Sequence, residues 1–208
     1  MHYEVLDEKT KKLFEKFSFL KDTFCLAGGT ALALQLGHRI SIDLDFFSDQ
    51  PIKKRLLKTI ESKVKKADSV LVNNKKELTL YIDTIKITFL HYPFIHKHEF
   101  VKTNIIPLAS VKEIASMKAY ALGRRVSLKD YIDLYFILSL GLTSLASIIA
   151  DAISVYHDAF NDRLLCEQLI SPEEADDESI IWLAKEVSKT EMKGFFSKLI
   201  TKEKDTIL

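Results

Sequence analysis

Two aspartates two residues apart, Asp43 and Asp45, follow a Gly28-Gly29-Thr30 turn in the stretch FCLAGGTALALQLGHRISIDLDFFSDQ. Glycines where a strand gives way to a helix let backbone N–H groups approach an anion closely. The helix N-terminus adds partial positive charge, so the turn suits a phosphate. The segment that follows alternates, which predicts a strand with Ile42, Leu44 and Phe46 on one face and Asp43 and Asp45 on the other. Two carboxylates on one face, roughly 7 Å apart along the strand, repel unless a cation lies between them. Oxygen-rich donors of this kind suit Mg²⁺ or Mn²⁺, which also bind substrate phosphates. Metals bridged by such carboxylates stabilise both the attacking and the leaving oxygen of a phosphoryl-type transfer. An Asp-x-Asp pair alone is more often the polar face of an edge strand; the glycine turn at this distance reverses that balance.

The elements that must position these residues follow from periodicity. An amphipathic helix is expected over residues 7–20, carrying Leu13, Phe14, Phe17 and Leu20. A short strand is expected over 23–27. A helix capped by Thr30 then runs to Gly37, whose freedom at positive φ suits a C-cap. Strands are expected over 41–47, 78–82 and 85–90, with Asp83-Thr84 as a hairpin turn. From Ala109 onward strand signals vanish, and helices are expected over 110–123, 128–140, 145–160 and 179–200. Ser127-Leu128-Lys129-Asp130 resembles a capping box, which marks a helix start. The fold class is therefore α+β: a mixed β-sheet core with flanking helices over 1–108, then a helical region over 109–208.

Composition narrows the function classes. The 208 residues are 47% hydrophobic and 28% charged with a formal net charge of +1, so any anion-binding surface is a local patch. Cys25 and Cys166 lie far apart and suggest neither a disulfide framework nor a Cys-based metal site. The charged N-terminus lacks the apolar core of a signal peptide, and no apolar run reaches the ~20 residues that span a bilayer. The expectation is a cytoplasmic protein with no membrane partner. Walker A, Rossmann and Gly-x-Ser-x-Gly patterns are absent. His91, His96 and His98 lack a convincing metal spacing and are expected in a loop around Pro93. Trp182, with Ile180, Ile181 and Leu183, is expected in the core.

A second stretch, MKAYALGRRVSLKDYIDLYFIL, concentrates basic residues. On a continuous helix Lys118, Arg125 and Lys129 fall in one narrow stripe. A restart at Ser127 would loosen that alignment. The stripe is either a phosphate clamp or a solvated helix face. Residues 51–66 carry Lys53, Lys54, Arg55, Lys58, Lys63, Lys65 and Lys66 against Glu61, and read either as a nucleic-acid track or as a solvated face.

The segment GGTALALQLGHRISIDLDFF resembles the signature of the AbiEii-type nucleotidyltransferases, toxins of type IV toxin–antitoxin pairs within the polymerase-β-like superfamily. That signature is a Gly-Gly-Thr/Ser turn, a helix, and Arg-x-Ser-x-Asp-hydrophobic-Asp, matched by Gly28, Gly29, Thr30, Arg39, Ser41, Asp43 and Asp45. The later stretch is similar to the family's second motif at Lys118, Ala121, Arg125, Lys129, Asp130 and Asp133. The resemblance implies transfer of a nucleotide from an NTP to an acceptor, an RNA or tRNA 3′ end by family analogy, and a cognate antitoxin. It implies that Asp43, Asp45 and Lys118 are catalytic and that Asp43 and Asp45 hold the metal. Gly28, Gly29, Thr30, Arg39, Ser41, Arg125 and Lys129 would bind nucleotide. The superfamily often adds a third carboxylate on a later strand; Thr88 stands at that place here, leaving Asp130 or Asp133 as alternative acids. The alternatives are nucleotidylation of a protein hydroxyl and a non-catalytic nucleotide- or RNA-binding module.

Overall fold

Alternating apolar residues in the first half build a five-stranded mixed sheet. A computed structural model of the chain describes residues 1–94 and 96–207. The chain forms two units: unit 1 comprises Met1–Ile95 and Glu99–Ser110, and unit 2 comprises His96–His98 and Val111–Leu208.

Unit 1 runs α1 (Glu8–Glu15), a 3-10 segment (Lys16–Leu20), β1 (Cys25–Leu26), α2 (Gly28–Leu36), β2 (Leu44–Ser48), α3 (Leu56–Lys63), β3 (Ser69–Asn73), β4 (Glu77–Ile82) and β5 (Ile85–His91). The strand order is β1-β2-β5-β4-β3; β2 and β5 are parallel and the other neighbours antiparallel. Register places Leu44 beside Ile87 and Leu80, and Phe46 beside Phe89 and Leu78, so these residues share one apolar face. Phe17 and Phe24 pack onto that face: the Phe89 ring lies 4.9 Å from Phe46, 5.9 Å from Phe17 and 5.3 Å from Phe24. The opposite face carries Asp45, Thr88 and Thr79 in one row across β2, β5 and β4. Helix α2 is buried from Thr30 to Leu34, as expected of a helix apolar on all sides.

The β4–β5 turn is the expected Asp83-Thr84 pair, both at positive φ, the conformation of the tight turn that matches strand twist. Gly37 closes α2 in the left-handed conformation, with its N–H donating to the Ala33 carbonyl. Several expectations need correction. Helix α2 begins at Gly28 with Ala27 as its cap, because the Thr30 hydroxyl bonds elsewhere. β2 starts only at Leu44, leaving Ile42 outside the ladder and 44% exposed instead of on the core face. The edge strand β3, interrupted by a bulge between Val70 and Val72, carried no clean alternation in the sequence.

Unit 2 is helical: α4 (Val111–Leu122), α5 (Leu128–Ser139), α6 (Leu145–Tyr156), α7 (Asp162–Leu169) and α8 (Lys189–Ile207). α4 packs against α5, α6 and α7, and α8 against α5, α6 and α7. The helix expected over 179–200 starts only at Lys189; Trp182 precedes it, half-buried with its ring 6.4 Å from Phe136, while Ile181 and Leu183 are exposed. His96 and His98 lie in the expected loop, outside any helix or strand, whereas His91 does not. His91 ends β5; His96 Nδ1 lies 3.0 Å from the buried Glu113 carboxylate, and His98 Nε2 lies 2.7 Å from Asp151. Among the described residues, no helix is long and apolar enough to cross a membrane.

Phe89 touches three other rings at the centre of unit 1. Phe89→Ala should cost ~3–5 kcal/mol of unfolding free energy, measured by chemical denaturation.

Candidate active site

The site grows from the approach of one side chain to one glycine. Gly28 adopts φ +67°, a conformation costly for any residue with a Cβ. A Cβ built there would lie 3.0 Å from Asp45 Oδ2. β1 delivers the bend and β2 delivers the acid: the Ala27 N–H donates to the Asp45 carbonyl over 2.9 Å, fixing the two elements at the point where α2 begins. No side chain caps the N-terminus of α2, so its first-turn amides at Gly28, Gly29 and Thr30 are not taken up by a capping side chain. The turn keeps the donor geometry that an anion requires.

Thr30 ties this turn to the second acid. Its hydroxyl donates to the Asp43 carbonyl and lies 2.8 Å from the Ser41 hydroxyl. With the Thr30 proton committed to Asp43, Ser41 is the donor of that second bond. The segment before β2 is therefore held by two hydroxyls and by the Ser41 N–H, which donates to the Val5 carbonyl over 3.2 Å, instead of by the sheet ladder. Along it Asp43 is exposed, Leu44 buried, Asp45 half-buried and Phe46 buried, so both acids lie off the apolar core. Arg39 is only 2% exposed, and its Nη1 donates to the Ile40 carbonyl over 3.2 Å. Six of the seven residues of the first motif are thus linked through α2 and β2, and Arg39 is buried in the loop between them.

The donor set fits a divalent ion brought by substrate. Asp43 and Asp45 supply hard oxygens, and Mg²⁺ in nucleotide sites typically uses one or two carboxylates, waters and phosphate oxygens. Among the described residues no group of three His, Cys, Asp or Glu could hold a metal. Register explains why: Thr88 stands directly beside Asp45 on the same face, and Thr79 beside Thr88. Asp83 does not substitute. Its carboxylate accepts from Lys65, which holds its pKa below the ordinary value.

The second motif forms its own cluster within unit 2. Lys118 Nζ lies 2.6 Å from Asp130 and 2.6 Å from Asp133, both 1% exposed or less. Arg125 Nε reaches Asp130 over 3.0 Å, and Lys129 pairs with Glu178 over 2.9 Å. The continuous helix on which Lys118, Arg125 and Lys129 would form one stripe is broken: α4 ends at Leu122 and α5 starts at Leu128. The restart at Ser127 is real but not a capping box, since the Ser127 hydroxyl donates to Glu178. Asp130 and Asp133 are committed to balancing Lys118. The sequence carried no sign of Thr30 as the anchor of Asp43, because a hydroxyl-to-carbonyl bond across thirteen positions has no periodicity.

Two outcomes follow. Gly28→Ala should lower stability by ~1–2 kcal/mol from backbone strain and also displace Asp45, weakening Mn²⁺ binding measured by calorimetry in the presence of NTP. Lys118→Ala should cost ~3–5 kcal/mol, because it leaves buried carboxylates unbalanced; adding Asp130→Asn and Asp133→Asn should return much of that loss in the same denaturation assay.

A curated relative, an uncharacterised protein of Aquifex aeolicus, is 40% identical over 119 residues, covering 55% of this chain and 57% of that protein. The matched part thus spans little more than half of that relative's length. JHP933 from Helicobacter pylori has a similar fold, with a TM-score of 0.57 at 19% identity over 96% of this chain and 95% of its own. The nucleotidyltransferase toxin MenT4 from Mycobacterium tuberculosis gives a TM-score of 0.60 at 15% identity, over 95% of this chain and 87% of its own. The family model described as nucleotidyl transferase AbiEii toxin, type IV toxin–antitoxin system, matches residues 11–207, so the chain belongs to that family.

Proposed function

We propose that the chain is a metal-dependent nucleotidyltransferase that moves NMP from an NTP to an RNA acceptor, a tRNA 3′ end, as the toxin of a toxin–antitoxin pair in the cytoplasm. The observation that carries this reading is the Asp45 carboxylate against the Gly28 bend, at a helix N-terminus without a side-chain cap. The triphosphate rests on the amides of Gly28, Gly29 and Thr30. Asp43 and Asp45 would hold a Mg²⁺ or Mn²⁺ ion that neutralises phosphate charge. Ser41 and Thr30 hold Asp43 in place, and Arg39 adds a buried positive charge to the same unit. The acceptor hydroxyl attacks the α-phosphorus in line, the α–β bridging bond breaks, and pyrophosphate leaves. Positioning and electrostatics supply most of the acceleration in such transfers.

Lys118, Arg125 and Lys129 are retained as phosphate-binding candidates on the family motif. Within unit 2 their charges are balanced by Asp130, Asp133 and Glu178, so we assign Lys118 first to organising that cluster. A cognate antitoxin is the partner that the family implies. One observation favours a second reading. Thr88 in register with Asp45 leaves two carboxylates where a fuller metal set would have three, which suits a nucleotide-binding module without catalysis.

Labelled NTPs with Mg²⁺, incubated with and without total tRNA, separate these readings. Label should appear on RNA, and Asp43→Ala or Asp45→Ala should each reduce it at least ~100-fold. Label on protein instead would replace the RNA acceptor by a protein hydroxyl, and no label with any NTP would favour the binding module. Expression of the wild-type chain should arrest growth, and the same two substitutions should relieve the arrest.

A further inference from the structure

We propose that a cavity of about 300 Å³ in unit 1, separate from the Gly28–Asp45 site, binds a nucleotide unit, either free or as one unstacked residue of single-stranded RNA. Its volume lies at the lower end of the range for small-molecule sites. It opens at the other end of β1 and β2 from the glycine bend, between Thr23 and Phe24 on one side and Ser48 on the other. Ser48 is three residues beyond Asp45, roughly 10 Å along the strand, and shares the parity of Leu44 and Phe46. The cavity therefore lies at the opposite face as well as the opposite end.

Three kinds of lining group suit a nucleotide. Phe19, Phe24 and Leu56 form an apolar wall; Phe19 is half-exposed with the Lys63 ammonium 4.8 Å from its ring centroid, so a planar base would meet the ring and that cation together. Thr23, Gln50 and Thr59 add hydrogen-bonding groups that distinguish polar base edges from bare hydrocarbon. Lys53 and Arg55 stand at the exposed rim, where a phosphate would meet them. Aromatic walls with a cationic rim are the means by which single-stranded nucleic acid is held without a fixed sequence.

The rim concentrates cations without carboxylate partners. Lysines at Lys65–Asp83, Lys97–Asp151, Lys129–Glu178 and Lys189–Asp177 are instead neutralised. Among the described residues no carboxylate lies within ion-pairing distance of Lys53, Lys54, Arg55, Lys58 or Lys75. A second cavity, of about 440 Å³, flanks the same segment on its other side, with Lys54, Lys75, Asn73 and Asn74 in its lining. Clustered cations left without internal partners can release counterions to a phosphate backbone. The RNA form of the proposal rests on the acceptor reading above; the free-nucleotide form does not.

Fluorescence anisotropy with a labelled single-stranded oligoribonucleotide tests the cavity, using the full chain at 50 and 200 mM salt. The double variant Lys53→Glu/Arg55→Glu should bind about tenfold more weakly than wild type and show a shallower salt dependence. Lys202→Glu/Lys204→Glu, an equal charge change on α8, should have little effect. Phe19→Leu, which keeps an apolar side chain but removes the ring, should weaken binding about fivefold. Millimolar AMP or UMP that displaces the oligonucleotide would show that a free nucleotide suffices; failure to displace it would assign the cavity to RNA. Asp45→Ala should keep wild-type affinity, so loss of labelling activity and loss of this site are read separately. Absence of binding would overturn the proposal. So would wild-type affinity in Phe19→Leu, an equal effect of the α8 control, or loss of affinity in Asp45→Ala.

Discussion

The close approach of the Asp45 carboxylate to Gly28 governs the geometry of unit 1. A Cβ at position 28 would stand 3.0 Å from Asp45 Oδ2 and force it to shift, and the positive φ there would strain any L side chain. Several features serve that approach. β1 is only two residues long, enough to pair with Phe46 and Phe47 and deliver the bend to the start of β2. α2 is apolar on every side and buried, so its N-terminus is fixed by packing rather than by a capping side chain. No capping side chain takes up the amides of its first turn. A capped helix would be individually more stable and would have less use here.

Much of this was legible in the residues. Gly-Gly before a helix, followed by Asp-x-Asp on an alternating segment, implied a backbone bend beside two acids; Asp45 lies against Gly28, and Asp43 is tied to Thr30 through its carbonyl. The sheet face was legible too, since Leu44, Phe46, Ile87 and Phe89 obey period two. The start of β2 was not. Alternation at Ser41–Asp43 looks like strand, but the Thr30 hydroxyl takes the Asp43 carbonyl and the Ser41 N–H donates to the Val5 carbonyl, so the segment does not join the β5 ladder. Periodicity reports which face is apolar; it does not report which partner supplies the hydrogen bonds.

Unit 2 shows the same limit in electrostatic form. Lys118, Arg125 and Lys129 have the spacing of a helical stripe, but after the break at Leu122 Lys118 and Arg125 converge on Asp130 while Lys129 turns to Glu178. A lysine 6% exposed between two buried aspartates cannot be inferred from spacing, because the acids belong to the next helix. Desolvating three charges is expensive, and their mutual attraction offsets that cost only in a narrow geometry. Such a cluster gains little stability over a packed apolar one. Its effect is to dictate how α4 and α5 meet, since other arrangements would leave an isolated charge in the interior.

These local facts explain why a formal net charge of +1 says so little about partners. Charge that is paired internally has no long-range field to offer, whereas charge left exposed acts over about a Debye length, ~8 Å at physiological salt. Lys118, Lys129 and Lys189 belong to the first kind, and Lys53, Lys54, Arg55 and Lys58 to the second. A near-neutral chain can therefore present a locally cationic segment where several basic side chains lack carboxylate partners. Steering of a polyanion depends on that residue-by-residue distribution, and two chains of identical composition would differ in it completely.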